Sequence, residues 1–287
     1  MHRIALLTMM SFLLSGCYKA GLYLANFSNS PDQYETHNDI SYGDQSWQKL
    51  DVYVPKQTSS GPCPVVVFFY GGGWSSGEKA SYAFVADTLA QHGFITVIPD
   101  YVKYPQATYP AYQIDAALAS RWVYESIESY GGDVNNMHLM GHSAGAHMGA
   151  MLLADDVFLQ DINLQPSIYQ SFVGLAGPYA FTPKAKKYQK IFGPPDNYPK
   201  MKVTNFVDGD EPPMLLLHGA KDDVVGQFNQ QQLMEAIQAK GGQVDSMLLE
   251  GLGHIRIIAQ FSSTFGNDNN TVRQSITFMK SRIGNGG

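Results

Sequence analysis

The sequence predicts an α/β domain: a mostly parallel central sheet with helices on both faces. Three observations carry that expectation. From residue 64 onward, strand-like and helix-like segments alternate, as they do in βαβ units. Several strand-like segments are unbroken apolar runs, such as PVVVFFY over 64–70, which suits strands covered on both faces. Of the 287 residues, 44% are hydrophobic and 15% charged, which allows one large core and argues against a disordered chain.

The elements follow in order. Residues 49–54 alternate apolar and polar and predict a strand. The run over 64–70 is the next. Residues 80–91 have helical spacing and stop at Gly93; 95–98 form a short buried strand. Residues 112–130 predict a helix ended by Gly131-Gly132. A strand over 136–140, a helix over 144–153 and a strand over 172–175 come next. Strands over 214–217 and 244–249 flank a helix over 227–239, and a helix over 271–283 closes the chain. Between the strands over 172–175 and 214–217, residues 178–213 lack either rhythm but hold Tyr179, Phe181, Tyr188, Phe192, Tyr198 and Phe206. That content suits a lid insertion or a packed connection.

The N-terminus reads as a targeting segment. Met1-His2-Arg3 is a positive start, residues 4–14 are apolar apart from Thr8 and Ser11, and Leu14-Ser15-Gly16-Cys17 follows. The apolar run is too short to span a bilayer as a mature helix. Its last residues resemble a bacterial lipobox, which makes residues 1–16 a signal peptide and Cys17 a lipidated membrane anchor at the outer membrane or its periplasmic face. The other reading is a plain cleaved signal, with Cys17 incidental and the protein periplasmic or secreted. Residues 17–44, polar and turn-rich, read as a tether and irregular segment ahead of a single domain over 45–287.

Composition excludes several classes. Lys plus Arg total 19 against 25 Asp plus Glu, a net charge of −6, and no basic stripe offers a nucleic-acid surface. The 28 Gly and 15 Pro are scattered, and no solenoid-like repeat is present. Of the two Cys, Cys63 has no intramolecular partner if Cys17 carries lipid, and no C-x-x-C spacing suggests zinc. Asn26-Phe27-Ser28 fits a glycosylation acceptor, relevant only in a eukaryotic secretory path.

In open parallel sheets, chemistry gathers at the C-terminal ends of strands. The strand over 136–140 leads into Gly141-His142-Ser143-Ala144-Gly145 and then a helix. A nucleophile on so sharp a strand-to-helix turn needs small neighbours, and the helix start at Ala144 aims N–H groups at a developing oxyanion. Gly73-Trp74-Ser75-Ser76-Gly77 has the same pattern but lies past the end of its strand, so Ser143 is preferred over Ser75. Glu78 stands where a phosphate loop needs Lys, which discards nucleotide binding. Tyr70-Gly71-Gly72-Gly73-Trp74 reads as an oxyanion loop, since glycines let backbone N–H groups reach a substrate oxygen. Among eight His, His254 alone combines a loop position, a strand end and a late place in the chain. The acid that orients it belongs after the strand over 214–217, where Asp222 has the better spacing and Asp223 is the alternative.

Together these residues resemble the α/β-hydrolase carboxylesterases, in the branch near hormone-sensitive-lipase-like esterases and isoprenylcysteine methylesterase-like proteins. The resemblance covers roughly residues 45–284 and rests on Gly71-Gly72-Gly73-Trp74, Asp100-Tyr101 with Tyr104-Pro105, Tyr130-Gly131-Gly132-Asp133, Gly141–Gly145, His218–Asp222 and Gly253-His254. It implies Ser143 as nucleophile, His254 as base, Asp222 as orienting acid, and backbone N–H groups of Gly72, Gly73 and Ala144 as oxyanion donors. Two positions depart from the family pattern. Tyr70 replaces a His ahead of the glycines, and Val102 replaces an Arg after Asp-Tyr, which implies a missing ion pair.

The expectation is therefore a serine carboxylesterase that hydrolyses short-chain or small aryl esters through an acyl-enzyme, with no cofactor or metal. An amidase such as an arylformamidase shares the Gly-Gly-x-Trp loop and the same three residues. A non-catalytic binding lipoprotein would have no use for all three.

Overall fold

The β-branched and aromatic runs become the strands of one eight-stranded sheet. The computed structural model describes residues 21–27, 29–56, 61–266 and 270–284. The strands are β1 (Tyr34–Ser41), β2 (Lys49–Pro55), β3 (Cys63–Phe69), β4 (Ile95–Pro99), β5 (Gly132–His142), β6 (Tyr169–Leu175), β7 (Met214–Gly219) and β8 (Val244–Leu249). Their spatial order is β1-β2-β4-β3-β5-β6-β7-β8. The β1–β2 and β2–β4 pairs are antiparallel, and every other pair is parallel.

Helices cover both faces, as burial in the central strands shows. Consecutive residues of a strand point to opposite faces, yet Val65 through Phe69 and Ile95 through Ile98 are all 0% exposed. Each such Val, Ile or Phe contributes roughly 1.5–3 kcal/mol relative to exposure. The helices Ala111–Ser126 and Ala144–Ala154 pack on each other, the second against β3, β5 and β6. Helix Ala83–Gln91 lies on β2 and β4, and Asn270–Lys280 on β6 and β7.

The structure departs from the sequence reading in three places. Residues 34–41, read as irregular, form edge strand β1. Its sequence YETHNDIS has no apolar alternation; it is held by pairing with β2, by Tyr34 against Tyr53 (5.6 Å between rings), and by Lys79, which bridges Asp39 (2.7 Å) and Asp51 (2.9 Å). Residues 21–26 are helical, with Leu22 and Ala25 buried in the core, so the packed unit begins before residue 45. The stretch 178–213 contains the helix Lys186–Phe192 and 3-10 turns, with Ile191, Phe192, Met201 and Val203 at most 1% exposed.

Cys17 and the signal segment lie outside the described residues, as does Ser28 of the glycosylation motif. The Asn26 amide is committed within the fold: Nδ2 donates to the carbonyls of Leu22 (3.2 Å) and Ser81 (3.0 Å), and Oδ1 accepts from the Phe84 N–H (2.9 Å). That use as a helix cap does not suit an acceptor for sugar. Cys63 is a buried free thiol. Among the described residues no helix is long and apolar enough to cross a membrane.

Candidate active site

The site forms where β5, β7 and β8 end side by side, with β6 between the first two. Ser143 sits between β5 and the helix Ala144–Ala154 at φ 55°, ψ −121°. That backbone conformation is unusual for a side chain with a Cβ and is kept only where the surroundings fix it. They do so closely. The Ser143 N–H donates to the Leu175 carbonyl at 2.9 Å. A Cβ on Gly145 would lie 2.0 Å from the Phe69 carbonyl oxygen, and one on Gly141 2.5 Å from the Gly145 carbonyl oxygen. Glycine at both positions is thus a packing requirement of the turn.

Asp222, His254 and Ser143 form one chain of hydrogen bonds. The Ser143 hydroxyl donates to His254 Nε2 at 2.9 Å, and His254 Nδ1–H donates to Asp222 Oδ2 at 2.8 Å. The Asp222 side chain is 0% exposed. Its two oxygens divide their tasks: Oδ1 accepts the N–H groups of Val224 (2.9 Å) and Val225 (2.8 Å), which leaves Oδ2 for the histidine. Burial opposes ionisation of this carboxyl, but the hydrogen bond and charge of His254 and those two N–H groups hold its pKa below the ordinary value. Asp223, the alternative acid, is exposed. Ser75 stays in the turn after β3, donating its N–H and hydroxyl to the Gly72 carbonyl.

His254 is the first residue of the helix His254–Ala259, where the sequence predicts a loop. Two further histidines surround it. His142 Nε2–H donates to the His254 carbonyl oxygen at 3.0 Å, and the two rings lie 5.0 Å apart. Burial, reinforced by His254, pushes the His142 pKa down to about 3, so its ring stays neutral. His218 is buried with Nε2 3.7 Å from Asp222 Oδ2, beyond hydrogen-bond range. Sequence reasoning missed both contacts. His147 reaches away from the sheet, donating from Nε2 to the Met201 carbonyl at 2.7 Å and meeting Trp74 edge-on.

The glycine loop lies beside Ser143. Gly72 has φ 137° and Gly73 φ 59°, the left-handed region where side chains strain. A Cβ on Gly71 would lie 3.0 Å from Ser143 Cβ. Gly73 lines a cavity together with Ser143, while the Gly72 carbonyl accepts the Ser76 hydroxyl at 2.9 Å. Ala144 is the first helical residue, so its N–H has no partner in the helical ladder.

Tyr70 supports the loop with its own network. Its hydroxyl donates to Asp100 Oδ1, its carbonyl accepts the Tyr101 hydroxyl at 2.9 Å, and its ring stacks on Tyr82 and Tyr101. Val102 carries no charge, and the neighbouring Lys103 Nζ lies 3.6 Å from Asp100 Oδ1. The Val102 N–H donates to buried Asp115 at 2.7 Å.

The cavity measures about 160 Å³. Trp74, Phe181 and Tyr188 wall one side, Val224, Val225, Phe228 and Asn229 another. Phe181 stacks on Trp74 at 5.8 Å, and Tyr188 meets it edge-on at 6.0 Å. The stretch 178–213 thereby contributes Pro178, Phe181 and Tyr188 to the site. Its aromatic content is the signal that pointed there; nothing in the sequence singled out 224–229 beyond their place after Asp222.

Known proteins resemble the chain in sequence and in fold. The BD-FAE family profile matches residues 50–237. A probable isoprenylcysteine alpha-carbonyl methylesterase from Arabidopsis thaliana is 29% identical over 276 residues, covering 87% of this chain and 58% of the relative. A kynurenine formamidase from Danio rerio is 33% identical over 154 residues, 54% of this chain and 50% of its own length. The chain therefore spans well under two thirds of either relative. Esterase B from Lactobacillus rhamnosis, in a form inhibited by a tributyrin phosphonate, superposes with a TM-score of 0.80 at 17% identity over 98% of this chain and 96% of its own. That likeness gives the fold: an α/β-hydrolase.

Proposed function

The chain belongs to the BD-FAE family, and we propose that it is a serine carboxylesterase. One observation carries the reading: an unbroken relay from a buried carboxylate through His254 to a serine hydroxyl that borders a cavity. Ser143 Oγ attacks the ester carbonyl as His254 Nε2 takes its proton, and Asp222 holds the ring orientation and stabilises the imidazolium. The tetrahedral oxyanion forms against the backbone N–H groups of Gly72, Gly73 and Ala144. Collapse transfers the proton to the leaving alkoxide and leaves an acyl-serine. Water, deprotonated by His254, then releases the acid.

The cavity favours small acyl groups. Its 160 Å³ is close to a space of about 150 Å³ that accommodates benzene, and below the roughly 300 Å³ at which drug-sized pockets begin. We read 178–213 as the aromatic wall over this pocket. A 4-nitrophenyl ester series tests the reading: rates should peak at short acyl chains, and rates that climb past about eight carbons would contradict it.

The formamidase likeness gives the amide reading its footing. Its reaction uses the same nucleophile and oxyanion contacts, so a formanilide should be run beside the esters. A lipid anchor at Cys17 belongs to the proposal too. Cys17→Ser should move the protein from the membrane fraction to the soluble one, and an unchanged distribution would remove the anchor.

A further inference from the structure

The chain as a whole is acidic, yet Lys184, Lys186, Lys187, Lys190, Lys200 and Lys202 stand between residues 184 and 202 with Asp196 as the one acid. The overall charge hides this local basic stretch. It belongs to the segment that walls the candidate site. All but Lys202 are exposed, and none of the six ammonium groups forms an ion pair or hydrogen bond among the described residues. An exposed lysine run is ordinarily a solvated face. That explanation does not require any of these lysines to face the site.

Lys187 does not line the cavity but stands next to two residues that do. Helix Lys186–Phe192 sets its Nζ 3.8 Å from the point where a Cβ on Gly73 would stand, and Tyr188 Oη 3.4 Å from the same point. Lys187 Nζ also lies 5.8 Å from the centre of the Tyr188 ring. Gly73 and Tyr188 both line the cavity with Ser143. The carboxylate nearest the chemistry, Asp222, is buried and engaged by His254, Val224 and Val225. Partial burial lowers the Lys187 pKa, and no acid offsets it. An exposed ammonium without a counter-ion among the described residues thus stands beside Gly73 at the cavity, open to an anionic group of a bound molecule.

We infer that the substrate supplies it: this site takes esters that carry a carboxylate, Lys187 and the Tyr188 hydroxyl bind that carboxylate, and the other lysines steer anionic molecules to the mouth. The inference rests on the esterase reading and names the substrate class of that same site. The carboxylate is a spectator. Water still adds across the ester bond, and the alcohol and acid leave as they would from a neutral ester.

Two matched pairs test it with the purified chain. 4-Acetoxybenzoate against 4-acetoxybenzamide places the charge on the alcohol side; mono-4-nitrophenyl adipate against 4-nitrophenyl hexanoate places it on the acyl side. The anionic member of one pair should be favoured by roughly tenfold in kcat/KM at low salt, and about 0.5 M NaCl should shrink that preference. Lys187→Gln should lower the anionic rate by roughly tenfold, mainly through KM, and leave the neutral one within about twofold. Lys186→Gln with Lys190→Gln should reduce only the salt dependence. Equal or better turnover of the neutral member in both pairs would overturn the inference, as would a Lys187→Gln loss shared by both members. If neither the neutral esters nor the anionic ones show Ser143-dependent hydrolysis, the esterase reading has failed and this inference falls with it.

Discussion

His142 holds His254 by its backbone: Nε2–H of the first donates to the carbonyl oxygen of the second at 3.0 Å, across 112 residues of sequence. The residue that precedes the candidate nucleophile is thereby tied to the candidate base. Burial keeps His142 neutral, so the tie is made without setting a second positive charge beside His254.

Removing that tie should disturb the base without removing it. His142→Leu should lower kcat for a small ester by roughly tenfold to a hundredfold, the scale of a small misplacement in a catalytic group, with KM little changed. His142→Gln, which keeps an N–H donor, should recover part of the loss. Unchanged kcat in His142→Leu would remove the positioning role, and circular dichroism would separate it from misfolding.

Asp222 and Asp223 are adjacent, but only Asp222 meets His254. Asp222→Asn keeps the shape and loses the charge that favours the working tautomer, so kcat should fall by roughly a thousandfold or more. Asp223→Asn should stay within about twofold. Reversed effects would reassign the acid. The sequence favoured Asp222 by its spacing and kept Asp223 as the alternative. The deciding feature is the turn in which Val224 and Val225 N–H groups claim one oxygen of Asp222.

His138, His142 and His147 are buried, and burial pushes their pKa values down to about 4, 3 and 4. In the unfolded chain each returns to about 6.5. Below that value the unfolded chain binds protons that the folded one does not. Their contribution to stability is therefore intact above about pH 6.5 and lost progressively toward pH 4. The raised carboxyls of Asp87, Asp115 and Glu211, chiefly desolvated, act in the opposite direction, so a variant comparison isolates the histidine. Urea unfolding at pH 7 and pH 5 should show the wild type losing about 2 kcal/mol more than His138→Asn. Equal losses would mean that His138 charges in place.

The sheet was legible from β2 onward because β2 alternates apolar and polar residues and central strands such as β3 and β4 are apolar runs, signals that do not depend on partners. β1 was not. Its stability comes from β2 and from Lys79 between Asp39 and Asp51, which a polar octapeptide does not announce. The site divides in the same way. Ser143 is marked by the two glycines that its turn requires, and those glycines sit where a Cβ would strike Phe69 and Gly145. His142 as a support and 224–229 as a wall arise only when distant strand ends meet, and Tyr70 supports its loop through a phenol–Asp100 contact that the family comparison did not foresee.

On the proposed function, the hydrogen bond from Ser143 to His254 Nε2 makes Ser143 a nucleophile. The most direct test is hydrolysis of 4-nitrophenyl acetate and butyrate by the wild type beside Ser143→Ala. Ser143→Ala should lose roughly a thousandfold or more in kcat, with folding intact. Equal activity in the two proteins would mean that Ser143 is not the nucleophile and place the chemistry elsewhere, with Ser75 the first residue to replace.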